Sequence, residues 1–210
     1  MTNATRPIAL VAFDLDGTLV RGDTICLAIA THLGRRDRML AMERLTAREA
    51  IISAREEMAG WYRSRPMSEL CDALKALPLA PGAREGFQLL KDYEVAIAIV
   101  SVTWDFAVAH FARELGAGYY VGTAFSFDQP IAHFWPEDKP RYLTGLAGSL
   151  GLSLDQVAAV GDSPGDLAML DAVGYPFFVG QTRPSEPDRL VHLPDGNILA
   201  IAKAIVRSRG

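Results

Sequence analysis

The run Pro7-Ile8-Ala9-Leu10-Val11-Ala12-Phe13, followed at once by Asp14-Leu15-Asp16-Gly17-Thr18, decides how the chain folds. Seven residues rich in Ile, Leu and Val, with a Gly soon after, describe a strand buried on both faces that hands its last side chains to a tight loop. On extended backbone, residues i and i+2 face the same side, so Asp14 and Asp16 project together. Crowded carboxylates repel, and a cation or a shared proton is needed to keep them there. Oxygen ligands of this kind favour Mg2+. An acidic pair after a strand can also do no more than cap the next helix, and this stretch alone leaves both readings open.

What separates them lies far downstream. Residues 156–160 read as another apolar strand and run into Gly161-Asp162-Ser163-Pro164-Gly165-Asp166, with a helix to follow. In an open parallel sheet, ligands sit off the carboxyl ends of the strands, where strand order reverses. Two acidic strand ends meeting there would surround one ion with Asp14, Asp16 and Asp162. That pattern favours a metal-dependent enzyme acting on phosphate.

The chain has 210 residues, 50% hydrophobic and 22% charged, with a net charge of −4. It can bury one good core plus an insertion, and it carries no basic excess for nucleic acid. No apolar run approaches the length of a membrane span and residues 1–6 lack a secretory core, so a cytoplasmic protein free of membranes is expected. Cys26 and Cys71 are too few and too isolated for a disulfide framework and read as buried, reduced thiols. His32, His110, His133 and His192 show no metal-ligand spacing.

Strands are expected at 7–13, 94–100, 119–121, 156–160 and 175–179, and helices at 83–91, 104–115, 140–150, 164–173 and 198–206. Pro81-Gly82 precedes the first of these helices and Gly116 stops the second. Such alternation implies an α/β fold, a doubly wound parallel sheet covered on both faces. Residues 21–79 break the rhythm with helical spacing alone, as in Ile25, Ile29 and Leu33, and with Gly34 and Pro66 as breaks. About four short helices are expected there as an inserted bundle. The chain then divides into an α/β core, residues 1–20 and 80–210, and a helical insertion, residues 21–79. The insertion holds ten of the 21 Lys and Arg residues. Most make a solvated surface, leaving one or two to point at an anionic substrate. Phe125, Phe127, Phe134 and Trp135, just ahead of Lys139, read first as core packing and second as a rim to the site.

Together these motifs resemble the haloacid dehalogenase superfamily of phosphohydrolases. Asp14-Leu15-Asp16-Gly17-Thr18 is similar to its first motif, and Ser101, after an apolar strand, to its second. Lys139 in Asp138-Lys139-Pro140 is similar to the third, and Gly161-Asp162-Ser163-Pro164-Gly165-Asp166 to the fourth. All occur in order over essentially the whole chain. The arrangement looks most like the phosphoserine phosphatase branch, which inserts a small helical cap after the first motif. Pro81-Gly82-Ala83-Arg84-Glu85 and Glu114-Leu115-Gly116 fit that branch too. The chain departs from it at Asp23, where the branch has a Glu against the substrate amine, at Val102, where Gly is usual, and at Gly165, where Asn is common. Such enzymes also use a cap Arg for the substrate carboxylate; Arg48 and Arg55 are the candidates.

The resemblance implies Mg2+-dependent hydrolysis of a small phosphorylated metabolite, with phosphoserine the leading candidate. Asp14 would attack phosphorus to form an aspartyl-phosphate, and Asp16 would protonate the leaving alkoxide and then take a proton from the hydrolytic water. Mg2+ would be held by the Asp14 carboxylate, the Asp16 main-chain carbonyl and Asp162. Thr18, Ser101, the Val102 N–H and Lys139 would bind the phosphate, with Asp166 orienting Lys139 or a metal-bound water. A dehalogenase has no need of the acid Asp16, and a phosphonatase would need a cap Lys, for which only Lys75 is present. A phosphotransferase or mutase shares the aspartyl-phosphate step. A catalytically silent phosphate-binding regulator is the alternative of another class, and retention of both Asp14 and Asp16 argues against it.

Overall fold

The computed structural model describes residues 7–194 and 196–207. Strand β1 (Leu10–Phe13) is buried at every position. A helical segment follows: α1 (Ile25–His32), α2 (Arg36–Met42), α3 (Arg48–Tyr62) and α4 (Met67–Asp72), closed by a 3-10 turn at Ala73–Ala76. The chain then alternates through α5 (Ala83–Asp92), β2 (Ala96–Trp104), α6 (Asp105–Leu115), β3 (Tyr119–Thr123), α7 (Asp138–Ser149) and β4 (Val157–Gly161). It ends with α8 (Leu167–Ala172), β5 (Tyr175–Phe178), β6 (Val191–His192) and α9 (Ile198–Arg207). Every pairing is parallel, in the order β3-β2-β1-β4-β5-β6. This is the doubly wound sheet that the alternating pattern implies.

Side chains alternate across β1 and so feed two cores. Val11 and Phe13 face Phe87 of α5, Val108 of α6 and Ile201 of α9, with the Phe13 and Phe87 rings 5.0 Å apart. Leu10 and Ala12 face Leu143 of α7 and Leu170 of α8. Each such large apolar side chain stabilises the fold by about 1.5–3 kcal/mol through burial. The helical segment docks on the carboxyl end of β2 through Tyr62, whose ring meets Trp104, Phe106 and Phe125 edge-on at 5.6, 6.0 and 5.7 Å. Edge-to-face pairs of this kind add about 0.5–1.5 kcal/mol each beyond their area.

Several boundaries differ from expectation. β2 runs on to Trp104, so Ser101 lies inside the strand, and α6 starts at Asp105. The stretch Val102-Thr103-Trp104 is β-branched and aromatic and stays extended, with a register irregularity against β3. α7 begins at Asp138, because Pro140 in a first turn removes an N–H that has no helical partner. The helix expected at 164–173 is split: Pro164–Asp166 is a 3-10 turn closed by a Ser163/Asp166 capping box, and α8 follows. β6 was not expected; two residues carry no readable alternation, and their pairing with β5 is a tertiary event. No helix among the described residues is long and apolar enough to cross a membrane.

Candidate active site

Strand order reverses between β1 and β4, and the carboxyl ends of those neighbours bring the acidic residues together. Phe13 pairs with Val160, and the Asp14 N–H donates to the Val160 carbonyl at 2.9 Å. Asp14 therefore stands beside Gly161, one residue from Asp162. The loop after β1 needs Gly17: its φ is +79°, and a Cβ there would lie 2.2 Å from Asp162 Oδ2. The Thr18 hydroxyl donates to Asp162 Oδ1 at 3.1 Å, which places Thr18 beside the acidic cluster.

Lys139, in the first turn of α7, enters the same crevice. Its Nζ donates to Asp14 Oδ1 at 2.7 Å and to Asp166 Oδ1 at 2.6 Å, and the residue is only 2% exposed. Asp166 is fully buried, and its Oδ2 accepts from the Asp162 N–H, the Ser163 N–H and the Ser163 hydroxyl at 3.2, 3.1 and 2.8 Å. Carboxylate oxygens of Asp14, Asp162 and Asp166 lie within 4.8 Å of one another. This all-oxygen, acidic donor set fits a hard divalent cation such as Mg2+. Asp166, engaged through both oxygens, is placed to orient Lys139, and Asp14 and Asp162 are the carboxylates beside it that could hold a metal.

Burial sets the electrostatics. It pushes the Asp14 carboxyl well up, with Asp166 adding and Lys139 opposing. Burial and then Asp166 also raise Asp162. Burial works against the Lys139 charge, yet the facing Asp14 and Asp166 outweigh it and raise its pKa. Asp16 stands outside the three-carboxylate cluster, with Oδ1 accepting the Ile25 N–H at 2.7 Å. Burial pushes it up to about 6 despite that hydrogen bond, with Asp162 and Glu43 adding.

Asp16 borders a cavity of about 200 Å³ walled by Thr24, Cys26, Met39, Glu43, Met58 and Trp104. Ser101, two residues beyond the last pairing of β2 with β1, is buried at 1% exposure, and Val102 lines the cavity. Arg55 also reaches it, whereas Arg48 does not: Arg48 pairs with Glu137 at 2.7 Å and stacks on Trp135, half-exposed. Asp23 faces another cleft, beside His32 and Asp72, and pairs there with Arg36. The cause is local. The Thr24 hydroxyl caps α1 by accepting the Leu27 N–H at 3.1 Å while Asp16 holds the Ile25 N–H, and that entry turns Asp23 outward. Glu43, just past α2, is the acid that lines the cavity, its Oε1 accepting the Thr24 hydroxyl. Sequence reading missed it, because an acid at a helix end is an ordinary surface residue by pattern. Cys26 and Cys71 are free and half-buried, and burial pushes the Cys26 thiol up to about 12.

Residues 11–171 match the haloacid dehalogenase-like hydrolase family. The chain belongs to that family. It is 26% identical over 182 residues to phosphoserine phosphatase SerB2 of Mycobacterium tuberculosis, covering 81% of this chain and 44% of that protein. It is 27% identical over 180 residues to a phosphoserine phosphatase of Polaromonas sp., covering 79% of this chain and 76% of that one. The chain thus spans less than half the length of the mycobacterial relative. A solved substrate-bound phosphoserine phosphatase complex shares the fold, with a TM-score of 0.76 at 20% identity over 95% of this chain and 99% of that one.

In this haloacid dehalogenase-like hydrolase the raised Asp16 carboxyl has a consequence for stability. A carboxyl whose native pKa exceeds its unfolded value keeps its proton longer in the folded chain. Its contribution is whole below the ordinary value of 3.8 and is lost as pH rises through about 6. Asp16→Asn removes that loss. In the metal-free protein, the melting temperature of Asp16→Asn relative to wild type is expected to climb by several degrees between pH 4 and pH 7, since a stabilisation of 1 kcal/mol moves it about 2–4 °C. A difference that stays flat across that range would show that Asp16 titrates at its ordinary value.

Proposed function

We propose that this hydrolase is a Mg2+-dependent phosphomonoesterase that acts on a small phosphorylated metabolite through an aspartyl-phosphate intermediate. One observation carries the reading: Asp14, Asp162 and Asp166 converge around Lys139 at the strand ends, with Asp16 facing the adjoining cavity. Asp14 is the nucleophile. Its carboxylate oxygen bonds to phosphorus as the ester oxygen departs toward the cavity, and protonated Asp16 gives that oxygen its proton. Asp16 then takes a proton from water as the water oxygen attacks the acyl phosphate, releasing inorganic phosphate and Asp14. Lys139, oriented by Asp166, with the Ser101 hydroxyl and the Val102 N–H, meets the non-bridging oxygens. Asp14, Asp162 and the Asp16 main-chain carbonyl would hold Mg2+, which supplies the neutralisation needed between a carboxylate and a phosphate dianion. In this reading residues 21–79 cap a core made of residues 1–20 and 80–210.

The names of its relatives make phosphoserine the first metabolite to assay. The general test is hydrolysis of p-nitrophenyl phosphate. Turnover should vanish on chelation with EDTA and return with added Mg2+. Turnover indifferent to EDTA would overturn the metal-dependent reading, and tight binding of phosphate with no turnover in Mg2+ would favour a silent regulator.

A further inference from the structure

The cavity beside Asp16, at about 200 Å³, exceeds the roughly 150 Å³ that admits benzene in an engineered protein core. Organic groups larger than a hydroxymethyl therefore fit it. Met39, Met58, Cys26 and Trp104 make its walls largely apolar, and Glu43, an exposed residue, lines the cavity together with Asp16. Arg55 is the only cationic side chain among the described lining residues. A guanidinium grips a carboxylate through two parallel N–H groups, and either fork it can present uses an Nη2 hydrogen. In Arg55 those hydrogens are committed: Nη2 donates to the Val102 carbonyl at 3.0 Å and to the Phe134 carbonyl at 3.4 Å. Nη1 meets His133 Nδ1 at 3.2 Å, and the guanidinium carbon sits 4.5 Å from the Trp135 ring centroid. Arg55 is thus part of the wall, tying α3 to β2 and to the segment before α7. A carboxylate entering this space would meet Glu43 and Asp16 without a fork to receive it, a buried charge left unpaired.

Resting on the phosphomonoesterase reading above, we propose that the cavity selects the phosphate monoester of an amino alcohol without a carboxylate. The alkyl chain lies against Met39, Met58 and Trp104, and the ammonium is held by Glu43. Glu43, anchored by the Thr24 hydroxyl, is the specificity-determining residue; Arg55 is a positioning residue.

Three esters test this: 3-aminopropyl phosphate, propyl phosphate and phosphoserine. In Mg2+, wild-type kcat/KM is expected to fall in that order, the first exceeding the last by at least about tenfold, as an unpaired buried charge requires. Glu43→Gln should shrink the preference for aminopropyl over propyl phosphate about fivefold, the scale of a partly exposed ion pair, chiefly through KM, and Glu43→Asp should restore part of it. Phosphoserine preferred over both other esters, or a preference ratio unmoved by Glu43→Gln, would overturn the proposal. Calorimetric binding of the same esters to the Asp14→Asn protein needs no turnover. Preferential binding of aminopropyl phosphate there supports the cavity assignment even if the wild type hydrolyses nothing, a result that would defeat only the phosphomonoesterase reading. Equal binding of all three esters sinks the assignment whatever the turnover.

Discussion

Asp14→Asn is expected to lower kcat/KM for any phosphate monoester by on the order of 10⁴-fold or more, the scale of losing a nucleophile. An amide has the carboxylate's shape but no negative charge, and it cannot form the acyl phosphate. The fold should accept the change. Burial and Asp166 already push the Asp14 carboxyl upward, so a neutral group relieves an unfavourable charge, and Lys139 keeps Asp166 as its partner. The metal-free variant should therefore melt at or above the wild-type temperature, while Mg2+ raises its melting point less than it raises the wild type's. Steady-state kinetics combined with thermal melts checks both halves. Acid-quenched wild type, but not the variant, should carry one phosphoryl mass. Turnover within tenfold of wild type would remove Asp14 from the nucleophile's role.

Lys139→Met should damage fold and chemistry together. Removing the cation leaves Asp14 and Asp166, both buried, without their shared counter-charge. Breaking a buried pair in this way costs about 3–5 kcal/mol, and losing one donor to the transition-state charge costs on the order of 10²–10³-fold in kcat. The sign with pH follows from linkage. Burial already raises the Asp14 carboxyl and Lys139 opposes that rise, so without the cation Asp14 holds its proton more tightly in the native chain than in the unfolded one, and the variant's deficit is greatest at neutral pH. The deficit shrinks as pH falls toward about 4, where the unfolded chain is protonated as well. Thermal melts from pH 4 to pH 8 read this directly. A variant as stable as wild type at pH 7.5 would show that Lys139 does not neutralise the cluster.

Much of this site was legible before any coordinates. Asp14, Asp16, Asp162 and Asp166 follow strands whose apolar runs are local and strong, and a parallel sheet obliges such strand ends to share one edge. The inserted helices were legible from the breaks at Gly34 and Pro66. The reach of β2 to Trp104 was not, because Ser101 to Trp104 could leave a strand or open a helix, and pairing with β3 settles which.

The cavity wall belongs wholly to the tertiary structure. Asp23 occupies the position that the resemblance assigns to substrate, yet the entry into α1 turns it toward Arg36. Glu43, distant in sequence from every motif, arrives through the turn after α2. Arg55 reaches the cavity but spends its donors on Val102 and Phe134. The chemistry at the strand ends was thus fixed by residues a few positions apart, whose periodicity reports burial directly. In the proposed reading the choice of substrate depends on how helices rotate and dock across a shared core, and no spacing along the chain records that rotation.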